Sequence, residues 1–218
     1  MTSCMTLAVH RGGRFRSLAT QVLPSPRGTP LATAMVVLLL AATLAFRLLF
    51  PDDLDDIVAW TSTNVRNLAS HPVASMLASA FVVPSGLVPE LIMVAIGFAV
   101  LERSIGTLRT AAVALSGHII ATLLTEYGAY LLAGGAADRF DVGISYAMLA
   151  VLAAAAFRLR GRIRLLAVTA VGAAVLIPFA LAPGMSTTGH LLAAALGPLT
   201  MRLLPRQAAP RSTPTPQP

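Results

Sequence analysis

Lysine is absent. All 16 cationic side chains are arginines, set against nine acidic ones. Charge of either sign is scarce, at 11% of 218 residues, where a soluble domain of this size carries about a quarter. That shortage excludes an ordinary water-soluble globule. Cysteine occurs once, at Cys4, so no internal disulfide can form. The net charge of +7 rides on a chain that is 56% hydrophobic, which fits arginine gathered on one side of a membrane rather than a nucleic-acid surface. Abundant arginine and alanine without lysine point to a GC-rich, bacterial genome. Apolar runs of membrane-spanning length are plentiful.

Six spans are expected, at residues 31–50, 84–101, 107–134, 143–157, 163–182 and 187–204. The fold class is therefore all-α: a polytopic bundle of six transmembrane helices. Residues 1–30 form a basic tail, with Arg11, Arg14, Arg16 and Arg27. The following apolar run is long enough to be a retained first helix rather than a cleaved signal. Residues 205–218 are Pro-rich and polar, and are expected to be a disordered tail. Residues 51–83 form a long first loop, with 73–83 a candidate interfacial or re-entrant helix. Loop charges set the orientation. Asp52, Asp53, Asp55 and Asp56 dominate the first loop, and the third, at 137–141, is net negative. Arg103 and Arg109 mark the second loop, and Arg158, Arg160, Arg162 and Arg164 the fourth. The fifth loop carries no charge, and Arg202, Arg206 and Arg211 lie beyond the sixth span. This alternation predicts a multi-pass protein of the cell membrane with both termini cytoplasmic.

Helix rise converts sequence position into depth. Ser145 lies thirteen residues before Arg158, and His190 twelve before Arg202. At about 1.5 Å per residue, both stand roughly 18–20 Å above the inner interface. Glu90 and Thr122 fall at the same height, and His118 and Glu126 flank Thr122 along one helix stripe. Ionisable groups at this depth usually face a bundle interior or an aqueous cavity. The set predicts one outward-opening pocket holding Ser145, His190 and Glu90, with His118 and Glu126 as polar support beneath or beside it. The fourth span is too short to cross alone, which would leave a dip that water can fill. A neutral histidine is the usual base for activating a serine hydroxyl. Gly143 leaves room two residues before the serine, whose place in the first helical turn offers free N–H groups to an oxyanion.

These residues resemble the rhomboid family of intramembrane serine proteases, in a divergent, actinobacterial-type form. The resemblance covers roughly residues 31–204. It rests on six spans, a G-x-S at Gly143–Ser145 opening a short fourth helix, and His190 near the top of the sixth. "LERSIG", with Glu102 and Gly106, resembles the family's E-x-x-x-G element, and "GHLLAAALG" its sixth-helix pattern of small residues ending in Gly197. The resemblance implies a Ser145–His190 dyad cutting transmembrane substrates near their outer ends, with no metal or cofactor. Two departures stand out. Tyr146 replaces the second glycine of G-x-S-G. Gly86 and Glu90 occupy the places of the family's oxyanion-supporting H-x-x-x-N. Gly143, Tyr146 and Glu90 are thus the candidates for an oxyanion or pocket role.

Whether the chain is an enzyme is left open by its sequence. One reading is a serine endopeptidase. Another is a catalytically inactive pseudoprotease that binds transmembrane segments of client proteins. A third, a small transporter or ion-binding protein using Glu90, His118, Glu126 and His190, is weakened by the lack of an internal repeat. Bland roles compete at each residue: Ser145 as a helix-start cap, Tyr146 packing at the membrane interface, and His118 and Glu126 as a polar contact between helices. The expected partners are the bilayer and transmembrane proteins.

Overall fold

A computed structural model describes residues 23–83, 85–132 and 140–205. Of the expected tails at 1–30 and 205–218, residues 1–22 and 206–218 lie outside the described residues, as does most of the third loop. Nine helices and no strand occur among the described residues. Helix α1 is Pro30–Leu49; α2, α3 and α4 are the short helices Leu54–Thr61, Val65–Ser70 and Pro72–Ser79. Five longer ones follow: α5 Leu87–Ile105, α6 Thr107–Leu132, α7 Ser145–Arg158, α8 Gly161–Leu181 and α9 Met185–Leu203. The six long helices coincide with the six expected spans to within a few residues.

Three of them, α1, α6 and α8, are long and apolar enough to cross a membrane by themselves. The other three fall short of that by length or by polar content. Helix α5 holds Glu90, Glu102 and Arg103, α9 opens on a polar turn, and α7 has only 14 residues. At 1.5 Å per residue α7 spans about 21 Å, well short of a roughly 30 Å hydrocarbon core. Such a helix survives in a membrane only inside a bundle. Ten of its residues are buried, and it packs against α5, α6, α8 and α9. Helix α8 is the opposite case. Val175 is its one buried residue, so nearly its whole surface is left for lipid.

Close approach to α7 is made possible by glycine. A Cβ on Gly197 of α9 would run into the Ala150 carbonyl oxygen, with the Ala150 carbonyl carbon at 2.6 Å. A Cβ on Gly117 of α6 would meet the Ala150 methyl group from the other side. Ala150 is fully buried between them. Packing of this kind is the chief attraction between helices in lipid, where no hydrophobic force draws them together.

Glu102 joins the start of α1 to the end of α5. Its carboxylate accepts hydrogen bonds from the N–H groups of Leu31 (3.0 Å) and Ala32 (2.9 Å) and from the Thr107 hydroxyl (2.7 Å). The residue is 3% exposed. A carboxylate in the first turn of a helix satisfies orphan amides and complements the helix dipole. Gly106, which follows, has φ +85°, a conformation only glycine adopts freely, and this lets α5 turn directly into α6.

The first loop is more ordered than its sequence suggests. The expected 73–83 segment is helical only as α4, and two further short helices precede it. Asn67 ties the loop together by donating its amide hydrogens toward the carbonyls of Ala59, Trp60 and Ser62, at 2.8–3.1 Å. Trp60 and His71 stack with ring centroids 5.0 Å apart.

Candidate functional site

Ser145 is the first residue of α7 and His190 lies in the second turn of α9. The two helices pack so that Ser145 Oγ and His190 Nε2 stand 3.1 Å apart, across 45 residues of chain. His190 makes no other hydrogen bond among the described residues. In this geometry a neutral imidazole carrying its proton on Nδ1 accepts the serine O–H. Tyr146 stands edge-on to His190, with ring centroids 5.5 Å apart and planes at 80°.

The first loop aims the serine. Gly143 has φ +115°, a left-handed conformation that turns the chain into α7. Its N–H donates to Ser79 O at 2.7 Å. Asp141, two residues earlier, receives the Thr63 N–H on its carbonyl at 2.9 Å and donates its own N–H to Ser62 Oγ at 2.9 Å. The 141–143 segment therefore runs along the loop as a bonded strip, and the orientation of Ser145 follows. Burial holds the Asp141 carboxyl above its ordinary value of 3.8, and the nearby Tyr146 and Thr63 hydroxyls pull it partly back.

Free amides surround the serine. The first intrahelical-type bond at this end runs from Met148 N–H to Ile144 O. The N–H groups of Ser145, Tyr146 and Ala147 thus have no acceptor within the helix. Such amides at a helix start are the kind of donor that can stabilise an oxyanion.

A cavity of about 530 Å³ lies at the same end of the bundle. Its walls come from the chain just before Ser145 (Phe140–Gly143), from the start of α9 (Gly184–Thr187), and from Ser85 and Glu90. One Glu90 carboxyl oxygen is buried without a hydrogen-bond partner. Glu90 and Gly143 share this cavity, but the single pocket expected to hold Ser145, His190 and Glu90 together is not what lines it. Ser145 and His190 do not line it; they sit directly beyond its walls in sequence.

The remaining candidates are placed elsewhere. His118 does not join the dyad. Its Nε2–H donates to the Met76 carbonyl at 2.8 Å, so it anchors α4 to α6. It also lines a separate apolar cavity of about 200 Å³, with Leu31, Phe98 and Ile144 among the other walls. Glu126 is 4% exposed and has one carboxyl oxygen without a partner. Tyr146 faces the bundle interior rather than lipid, since it is 3% exposed. A Cβ on Gly189 would fall onto the Tyr146 ring, so the glycine before His190 makes room for the tyrosine. That pairing, and the docking of the first loop on 141–143, were missed in the sequence. The G-H step was visible there; its partner forty-odd residues away was not. No group of three or more His, Cys, Asp or Glu side chains able to hold a metal occurs among the described residues.

The family model described as rhomboid-like protein matches residues 26–209. No curated protein and no solved structure matches. The match takes in all six long helices, the loop that aims Ser145, and both partners of the 3.1 Å contact. The chain belongs to the rhomboid-like protein family.

Proposed function

We propose that this membrane protein is an intramembrane serine endopeptidase in which Ser145 is the nucleophile and His190 the general base. The observation that carries this reading is the 3.1 Å contact between Ser145 Oγ and His190 Nε2. In the first step His190 takes the hydroxyl proton as Oγ bonds to the carbonyl carbon of a substrate peptide. The carbonyl oxygen becomes an oxyanion facing the amides of the first turn of α7. On collapse the C–N bond breaks and the imidazolium returns its proton to the leaving amine. Water, activated by the same histidine, then hydrolyses the acyl-enzyme. Among the described residues no third side chain orients the imidazole by a hydrogen bond, and its packing against the Tyr146 ring takes that place.

The loop charges support an orientation with both termini cytoplasmic and the Glu90 cavity open outward, in the cell membrane of a bacterium. Substrates would then be transmembrane segments cut near their outer ends.

A second reading is a pseudoprotease that holds transmembrane segments of clients without cutting them. It is favoured by one specific feature: Gly86 and Glu90 stand where the family's oxyanion-supporting side chains are expected, and an ionised Glu90 would repel the anion. Loss of one such donor costs about 10²–10³ in rate.

Fluorophosphonate labelling of the purified chain, in detergent and in lipid, separates the two. Labelling of the wild type that is abolished in Ser145→Ala and slowed about 10²–10⁴-fold in His190→Ala supports the peptidase. A folded wild type that takes no label in either medium supports the client-binding reading. Photo-crosslinking to a transmembrane peptide is then the assay to pursue.

A further inference from the structure

The end of the bundle away from the dyad has a feature that peptide cleavage does not use. Arg158 closes α7, Arg160 lies in the turn, Arg162 and Arg164 occupy the first turn of α8, and Arg202 the last turn of α9. All five side chains are exposed. Two of them converge. The Arg164 guanidinium carbon is 5.5 Å from the centre of the Phe157 ring, and that of Arg202 is 5.9 Å from the same centre. Attraction to the ring accounts for each cation singly. It does not account for two cations from different helices sharing one ring with no negative charge beside them.

The described residues offer no counter-charge here. Beyond Asp141 the sequence contains seven arginines and no Asp or Glu. The acidic residue of α5 at this end, Glu102, is already occupied by two amides and a hydroxyl. The preference for arginine on one side of a membrane explains why the residues lie at this end, but not their convergence. Among the described residues no acidic side chain neutralises this pair, which leaves it open to an anion from outside the protein.

The surroundings say what kind of anion. Ile163, Leu165 and Leu166 follow directly on α8 and are 64–69% exposed. A guanidinium fork matches a phosphate bidentately, and apolar side chains beside it match acyl chains. Basic pockets between the ends of transmembrane helices recognise anionic lipid headgroups in this way. We infer that the Arg164–Phe157–Arg202 surface, flanked by Arg158, Arg160 and Arg162, binds the phosphate headgroup of an anionic phospholipid. Its acyl chains lie along the exposed face of α8. The site is independent of whether Ser145 is catalytic.

The test uses the full chain in phosphatidylcholine nanodiscs, titrated with a fluorescent phosphatidylglycerol. Each arginine near a membrane surface strengthens such binding about five-fold. The Arg164→Gln/Arg202→Gln double variant should therefore bind about 25-fold more weakly. Arg66→Gln, a single-charge removal on the exposed face of α3, should bind as the wild type does. Both variants alter exposed side chains, and a thermal melt confirms folding. Equal affinity in the double variant and the wild type, or equal weakening by Arg66→Gln, overturns the assignment. Inorganic phosphate distinguishes the two sources of the anion. Failure of phosphate to displace the lipid supports a lipid site, whereas displacement at a concentration comparable to the lipid's overturns it in favour of a free-phosphate site.

Discussion

Gly197→Ala tests whether the contact between Ser145 and His190 depends on close approach of α7 and α9. The added Cβ meets the Ala150 carbonyl oxygen, its carbon at 2.6 Å and its Cα at 2.8 Å, whereas ordinary contact begins near 3.4 Å. All three atoms are backbone, so no side chain can swing aside. The helices must part by on the order of an ångström, and overpacking of this kind costs about 1–3 kcal/mol. The alanine returns up to about 1 kcal/mol through helix propensity, leaving a net loss of roughly 0–2 kcal/mol. The effect on the dyad is larger in proportion. Ser145 Oγ and His190 Nε2 are 3.1 Å apart, already at the long end for an O–H donor. A further few tenths of an ångström removes the hydrogen bond. The expected result is a modest fall in melting temperature together with a drop in fluorophosphonate labelling of about tenfold or more, in line with the sensitivity of catalysis to misplacement. Gly172→Ala in α8 is the control. Nothing lies within 4 Å of its Cβ, so it should label normally and melt slightly higher. Wild-type labelling and melting in Gly197→Ala would refute the reasoning, because the helices would then not be in contact at Ala150.

Two further predictions concern the parts that hold the site. Glu102→Ala leaves the Leu31 and Ala32 amides without their acceptor and should cost about 2–6 kcal/mol, read as a lowered melting temperature in detergent; an unchanged melt would mean that α1 does not depend on this cap. Asp141→Asn probes the segment before the serine. The Asp141 carboxyl titrates above its ordinary 3.8 because burial disfavours its charge. Its contribution to stability is therefore fully present below about pH 4 and is lost as pH rises through the raised value. At neutral pH the folded protein bears a disfavoured carboxylate that asparagine removes. Asp141→Asn should melt higher than wild type at pH 7, the gap closing toward pH 4. A variant less stable than wild type at pH 7 would show that the carboxylate is net stabilising.

The linear pattern determined a good deal on its own. Apolar runs of about 20 residues cannot be satisfied in water, and a single segment that crosses lipid satisfies its own backbone only as a helix, so the number and limits of the six long helices were legible from hydropathy. Helix rise is constant, so counting from Arg158 and Arg202 placed Ser145 and His190 at one height, and a 14-residue α7 could be recognised as too short to stand alone. Height, however, is one coordinate of three. Which helices are neighbours, and which face each turns inward, is decided by packing between distant segments. His118 shows the limit: it lies on the stripe expected to support the pocket from beneath or beside, yet it bonds Met76 on the first loop. Tyr146 shows it again, since its place beside His190 depends on Gly189 lacking a side chain. The first loop was the least legible part. Its order comes from Asn67, Ser62, Thr63 and Ser79 bonding to backbone groups far along the chain, and such polar contacts leave no periodic trace in sequence. Sequence therefore determined the helices and their depth, because those depend on local hydropathy and a fixed rise. Only the tertiary structure decided that Ser145 meets His190, because that depends on glycine and alanine surfaces bringing α7 and α9 together.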